Sequence, residues 1–226
     1  MSQCPCYSSG VKEGKAAVTP PGLFRLSGLA LVLAALLLAV AEVLALAIFV
    51  WQGAEYDLGQ IARSGTFFLQ SLLTLLAGTL LLGGLVGLYV RQSEAAGRLG
   101  VIGFLLAFFV TTFVTGDFYA NTFVTPMVAL EAPAFLDNPL SGILQAWLPF
   151  DFVLLALGWL LLAVVTVRAR VYPRAASWVL LVGAVVGLVP IPLANLPFEA
   201  ALAWLGLMLL KTRDYPARRR RGKSHR

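Results

Sequence analysis

The sequence has little charge. Only 12% of its 226 residues are Asp, Glu, Lys or Arg, about half of the roughly 25% that is usual in a soluble domain. Hydrophobic residues make up 59% of the chain. A soluble domain of ordinary composition is therefore excluded, and a protein whose surface largely faces lipid is indicated.

The side chains that support metal and nucleophilic chemistry are also scarce. The only histidine is His225, and the only cysteines are Cys4 and Cys6, so no four-ligand zinc site or haem-ligating histidine pair can form within the apolar segments. No Gly-x-Ser motif has a partner histidine. The Gly-Asp pair at 116–117 lacks the glycine of intramembrane aspartyl proteases, because Val114 occupies that position. We predict no enzymatic activity, no cofactor and no metal site.

Six apolar segments predict an all-α, polytopic membrane helix bundle. Most are long enough to cross a bilayer core of about 30 Å as helices. The first exceeds a signal-peptide core and predicts an uncleaved anchor. The last is about 15 residues, or about 22 Å, and Lys211 at its end can extend its reach by snorkelling. The segments cover residues 26–51, 67–90, 99–118, 148–167, 175–191 and 196–210.

The distribution of basic residues predicts the orientation. All but one of the 17 Lys and Arg residues lie before helix 1, between helices 2 and 3, between helices 4 and 5, or after helix 6; the exception is Arg63, and residues 99–167 contain none. Basic residues in short loops stay in the cytoplasm. Both termini are therefore predicted to be cytoplasmic, with a tail at 1–24, a six-helix domain at 25–210 and a basic tail at 211–226.

The outer segment at 118–147 is predicted to be structured but not to be one long helix. It contains three prolines, which interrupt helices: Pro126, Pro133 and Pro139. From 140 to 147 the apolar residues recur at i, i+3, i+4 and i+7. This spacing favours a short helix that lies on the outer membrane surface.

Two further features concern partners. The C-terminal tail carries a run of bases directly after a membrane helix, which favours binding to anionic lipids over binding to nucleic acid. The small-xxx-small pairs Gly83/Gly87 and Gly183/Gly187 allow helix backbones to approach closely. They predict tight packing within one protomer or, alternatively, a homo-oligomer.

Several polar residues at the outer ends of the helices form a candidate site. Glu42 lies within helix 1, about 13 Å below the outer boundary, and ionisable residues inside a membrane are costly and often functional. One hypothesis is an outward-facing polar vestibule for a cation, an amine or a proton, with Arg63 as the only outer base available to pair with the acids. The vestibule would contain Glu42, Asp117, Asp151, Glu199 and Gln70.

A structural alternative stays open for the same residues. Asp151 and Glu199 each follow a Leu-Pro-Phe triplet, and an acid in the first turn of a helix interacts favourably with the helix dipole. In this interpretation Glu42 bonds to a neighbouring helix, and the other acids are solvated at the interface.

The motifs FVTPMVALEAPAFLD (123–137), LGWLLLAVVTVRARVYPRAASWVLLVGA (157–184) and AWLGLMLL (203–210) resemble a family of bacterial multi-pass membrane proteins. The resemblance covers about half of the chain, mainly helices 3 to 6, and the turn from Arg168 to Arg174 is its most recognisable part. It implies a bundle of about six helices in a bacterial inner membrane, but no activity and no site. We therefore predict a non-enzymatic integral membrane protein; the alternative is a small transporter or a cation- or proton-coupled binding protein.

Overall fold

The computed structural model describes residues 20–52, 58–137, 143–187 and 193–211, and all the regular elements in these ranges are helices. The prediction of an all-α fold is confirmed. The two tails, with Cys4 and Cys6, lie outside the described residues. The elements are α1 (Pro20–Gln52), α2 (Leu58–Ala62), α3 (Gly65–Tyr119), a π-helical turn (Ala120–Val124), α4 (Thr125–Glu131), α5 (Pro133–Asp137), α6 (Ile143–Ala169), α7 (Arg174–Val186) and α8 (Leu196–Leu210).

Helix α3 consists of two antiparallel limbs, 65–96 and 98–119, joined at Gly97. Gly97 has φ +56° and ψ −148°, a conformation that glycine adopts at little cost. The rings of Tyr89 and Phe104 stack with their centroids 4.4 Å apart. A methyl group on Gly78 would lie 2.7 Å from Thr115 Oγ1, although a straight helix would separate these residues by about 55 Å. The limbs coincide with the second and third predicted helices.

The other helices continue this alternation of direction. Ser27 Oγ of α1 donates to Gly83 O at 2.9 Å, whereas Glu42, farther along α1, meets the start of α8. Trp159 Nε1 of α6 donates to Thr111 Oγ1 of the second α3 limb at 3.1 Å. Six helical segments therefore run alternately up and down. One end of the bundle, the basic end, contains the start of α1, the Gly97 turn, the 170–173 turn and the end of α8. Its bases are Arg25, Arg91, Arg98, Arg168, Arg170, Arg174 and Lys211.

The opposite end carries the cap, which we define as α2, the π-helical turn, α4 and α5. The third helix was predicted to end near residue 118, but helical backbone continues to Glu131. The π-helical turn makes this possible. Its wider ring is closed by the bond from Thr125 N to Ala120 O, and it comes just before Pro126, which lies in the first turn of α4. Proline lacks a backbone N–H, but in the first turn of a helix that N–H would have no partner within the helix. The helical backbone is interrupted at Ala132, before Pro133, so the described part of the outer segment is not one long helix.

Helix α6 also differs from its prediction. It begins at Ile143 and runs without interruption through Pro149, so residues 143–147 are continuous with the predicted fourth helix and do not form a separate helix. Residues 138–142 lie outside the described ranges. The location of residues 140–147 on a membrane surface stays a prediction.

Among the described residues, two stretches are long and apolar enough to cross a membrane, Gly22–Val50 and Gly65–Glu131; the second contains both limbs of α3. Three further apolar helical stretches are shorter: Val153–Ala169, Arg174–Val186 and Leu196–Leu210. Leucine and alanine fill the core, whereas large apolar side chains such as Leu36, Phe109 and Val182 are exposed on the outside of the bundle. An exposed apolar surface of this kind is compatible with lipid contact.

Candidate functional site

Glu42 of α1 is held by the beginning of α8. Its Oε2 accepts a hydrogen bond from Leu193 N at 3.2 Å, and its Oε1 accepts one from Asn195 Nδ2 at 2.5 Å. Both carboxylate oxygens therefore have N–H donors from the segment before α8. These bonds agree with the part of the structural alternative in which Glu42 bonds to a neighbouring helix.

Glu199 lies beside Glu42, one turn into α8. It is only 3% exposed, and its Oε2 has no hydrogen-bond partner among the described residues. Asn195, which bonds to Glu42, lies four residues before Glu199, so the two carboxyl groups lie about one helical turn apart along α8. Glu199 is therefore buried, whereas the structural alternative expects it to be solvated at the interface. We call Glu42 and Glu199 the acid pair.

The backbone before α8 explains why these groups meet. Leu193 has φ +68°, a left-handed conformation that is unfavourable for leucine, and its N–H bonds to Glu42. Asn195 stands immediately before the first residue of α8, and Pro197 occupies the first turn. A methyl group on Gly187 would lie 2.6 Å from Asn195 Oδ1, so glycine allows the end of α7 to approach Asn195 closely.

The other predicted vestibule residues are not brought to the acid pair by any described contact. Asp117 is half-buried near the end of α3, and Gln70 is half-buried near its beginning. Asp151 belongs to α6, but its side chain lies outside the described part of the structure. The described contacts therefore join two of the five candidates, Glu42 and Glu199.

Arg63 does not serve as the base for this site. Its Nε and Nη2 both donate to Ala129 O, at 2.9 and 2.7 Å. The guanidinium therefore binds the cap, and the expectation that it pairs with the acids does not fit this geometry.

A second cluster of polar contacts closes the basic end. Arg91 Nη1 donates to Met208 O at 3.0 Å, and its guanidinium carbon lies 5.1 Å from the centre of the Tyr172 ring. Tyr172 Oη donates to Leu88 O at 3.3 Å. Burial raises the pKa of Tyr172, and Arg91 opposes this shift. The phenol therefore remains a donor at neutral pH.

The glycine pairs are largely used within the chain. Gly87 packs against Ser27, Gly183 against Phe198 and Gly187 against Asn195, whereas Gly83 has open space around it. These contacts account for the close packing that the pairs predict. A homo-oligomer stays a prediction.

Sequence reasoning missed Asn195 and Gln92. Asn195 could have been found, because an Asn directly before a Leu-Pro start is a typical N-terminal helix signal. Gln92 is 1% exposed, and neither its Oε1 nor its Nε2 has a partner among the described residues. Nothing in the sequence around Gln92 marks it as buried.

Within the described ranges, no group of three or more His, Cys, Asp or Glu side chains could hold a metal ion. Comparison of the chain with protein-family models, curated proteins and solved structures finds no match. The acid pair and the bundle that surrounds it are therefore the features that bear on function.

Proposed function

We propose that this protein is a multi-pass integral membrane protein of a bacterial plasma membrane, with six membrane helices and both termini in the cytoplasm. The antiparallel order of six helical segments supports this proposal, as does the clustering of bases at one end. Helices α7 and α8 have 13 and 15 residues, fewer than the roughly 20 of a typical span. They would be the two shortest membrane helices of the bundle. The basic tail would contact anionic lipids.

Within this bundle, we propose a non-enzymatic role in which the acid pair binds a proton or a small cation. The observation that carries this proposal is the buried Oε2 of Glu199, which has no partner in the described residues and lies beside a second carboxyl group. Two neighbouring carboxylates in an apolar bundle repel each other unless a proton or a cation neutralises the pair. Such a site suits a small transporter or an ion-responsive membrane protein.

The second candidate is an accessory or structural membrane protein that binds no ligand. The bonds from Leu193 and Asn195 to Glu42 favour it, because they also attach α8 to α1 without any ligand. The two candidates differ in what a neutral replacement of each acid should do.

Thermal unfolding of the purified full chain in detergent tests the choice. The melting temperature is measured between pH 5 and pH 9, and at fixed pH with Na⁺, K⁺, Mg²⁺ or Ca²⁺. We expect a shift with pH or with one of these cations in the wild type, and its loss in Glu42→Gln and Glu199→Gln. Glu131→Gln, which changes an exposed acid of the cap, is the control and should behave as the wild type does. If both site variants keep the wild-type response, the ligand-free candidate is favoured.

Reporter fusions test the membrane arrangement separately. A reporter at residue 130 and another at the C-terminus are expected in opposite compartments. Finding both in one compartment would contradict the proposed topology.

A further inference from the structure

We infer that the acid pair exchanges its proton with the outer side of the membrane only, because the bundle is sealed between the pair and the basic end. The inference rests on the proposed function, since it assumes that the pair binds a proton. It adds a direction of access, which makes the protein a sensor of outer pH in this conformation and not a continuous path for protons.

The contact between α1 and α8 is apolar from Glu199 to the basic end. Residues 28–41 of α1 contain only apolar side chains and glycine, and in residues 200–210 of α8 the one side chain with a polar atom is Trp204. Leu202, Leu205 and Leu209, on the buried face of α8, have no exposed surface, and Leu31 and Ala34 of α1 are equally buried. From residue 199 to 209 this layer is about 15 Å thick, and a charged group would be strongly disfavoured within it.

The helix backbones touch within this layer, so little room is left for water. A methyl group on Gly28 would lie 2.7 Å from Gly206 O, and one on Gly206 would lie 2.7 Å from Gly28 O. The second methyl group would also come within 2.9 Å of Leu31 Cβ. A chain of water molecules needs polar partners and space along its path, and this contact offers neither.

The end of α8 is fixed in place at the basic end. Arg91 Nη1 binds Met208 O, and the same guanidinium lies over the ring of Tyr172. The contact joins the first limb of α3, the end of α8 and the turn before α7. Opening the sealed layer from this side would require this contact to break.

The route from Glu199 to the opposite end is short, and its described part includes hydrogen-bond donors. Glu199 lies three residues after Leu196, the first residue of α8, which is a rise of about 5 Å. The segment before α8 is half-buried and contributes Leu193 N and Asn195 Nδ2 to Glu42. Protons therefore meet hydrogen-bonding groups on this side and a thick apolar layer on the other.

The charged groups around the pair do not change this conclusion. Glu42, from α1, is the ionisable residue that the described contacts place near Glu199, through its bond to Asn195. The one ionisable residue of α7, Arg174, lies at the basic end. On the opposite end, Arg63 binds Ala129 O, and Asp117 is half-buried on α3. Helix α6 packs Trp159 against Phe198, with ring centroids 4.9 Å apart.

Sided labelling of the full chain in right-side-out and inverted membrane vesicles tests the inference. The probe is dicyclohexylcarbodiimide, which crosses membranes and adds to a protonated carboxyl group. The pH is changed on one side at a time with impermeant buffers, and mass spectrometry measures the labelling rate of Glu42 and Glu199. Glu42→Gln and Glu199→Gln identify the reactive group, and Glu131→Gln is the matched control.

We expect the rate to rise by up to about tenfold for each unit by which the outer pH falls, and to stay constant when the inner pH changes. A rate that follows the inner pH, or both, would overturn one-sided access while leaving the proposed proton site intact. No labelling of either acid at any outer pH would instead remove the proposed function, and the inference with it.

A variant that opens the sealed layer provides a second test. Leu205→Ser should make the labelling rate respond to the inner pH as well. Since removing a fully buried leucine also weakens the fold, the wild-type comparison decides the inference without this variant.

Discussion

Arg63 donates two hydrogen bonds to the carbonyl oxygen of Ala129, an acceptor that the helix itself cannot satisfy. In a regular helix this carbonyl would accept from the backbone N–H four residues later. That residue is Pro133, which has no N–H. The guanidinium takes the place of the missing donor and also places a positive charge at the negative end of α4. The only basic residue in the predicted outer loops therefore stabilises the cap.

We predict that Arg63→Gln destabilises the cap. The change removes a charged donor from a carbonyl of the buried residue Ala129, which typically costs about 1–3 kcal/mol. Thermal unfolding should begin earlier, and hydrogen exchange should become faster in α4 but not in α1. The two reporters should stay in the same compartments as in the wild type, because the inner bases that set the orientation are still present.

Pro133→Ala provides the control for this interpretation. It restores an N–H at the position that normally bonds to Ala129 O. Arg63→Gln should therefore cost less in a Pro133→Ala background than in the wild type. Equal costs in the two backgrounds would show that Arg63 stabilises the cap in another way.

We predict that Arg91→Gln destabilises the basic end more than Tyr172→Phe does. The arginine change removes the hydrogen bond to Met208 O and the contact with the Tyr172 ring, whereas the tyrosine change removes only the bond to Leu88 O. The expected losses are about 2–3 and about 1 kcal/mol. Melting temperatures of the variants in one detergent measure the difference. Equal losses would mean that the Arg91 contacts contribute little.

Tyr172 also predicts an alkaline loss of stability. Burial, the larger effect, raises the pKa of this phenol in the folded protein above its unfolded value, and Tyr172 lies in the turn between α6 and α7, outside the proposed spans. Its contribution is fully present below about pH 10, the ordinary value for tyrosine, and is lost as the pH rises toward the folded value. The stability difference between the wild type and Tyr172→Phe should therefore shrink above about pH 10. A constant difference would contradict the prediction.

We predict opposite results for alanine at two glycines of the bundle. Gly206→Ala places a methyl group 2.7 Å from a backbone oxygen of α1, so α1 and α8 must move apart; Gly83→Ala meets nothing within 4 Å. Gly206→Ala should lose stability by about 1–3 kcal/mol, whereas Gly83→Ala should be neutral or gain up to about 1 kcal/mol from helix propensity. Thermal unfolding separates the two. A neutral Gly206→Ala would show that α8 moves freely against α1.

We predict that Gln92→Met is stabilising. The Gln92 amide is buried without a partner among the described residues, and replacing an unsatisfied polar group with an apolar one of similar shape removes a cost of about 1–3 kcal/mol. Gln70→Met, on the half-buried side of the same limb, is the control and should change stability little. A loss of stability in Gln92→Met would indicate that the amide binds a water molecule or a ligand.

The sequence identified most of the helices because each one is a long apolar run, and such runs need no tertiary information to be found. Their boundaries were less certain. The third helix was predicted to end near residue 118, but a π-helical turn immediately before Pro126 lets the helical backbone continue. Pro149 lies inside α6, and the helix continues through it. Local rules for proline cannot anticipate either solution.

The candidate site was predicted in part. Glu42 and Glu199 were named because a carboxyl group in an apolar helix is unusual. Their proximity could not be predicted, because they belong to the first and last helices, and no local pattern specifies that α1 packs against α8. Asn195 and Leu193 N complete the site through a left-handed residue, a conformation that the sequence does not reveal at a leucine.

The sequence by itself determined that the chain forms apolar helices and that its bases lie in alternate connections, since composition and charge are properties of single residues along the chain. Only the tertiary structure decided which helices touch, which carboxyl groups meet and which carbonyls the arginines satisfy. Those relationships depend on glycine contacts and on backbone groups left unpaired at helix ends, and both arise only when distant segments pack together.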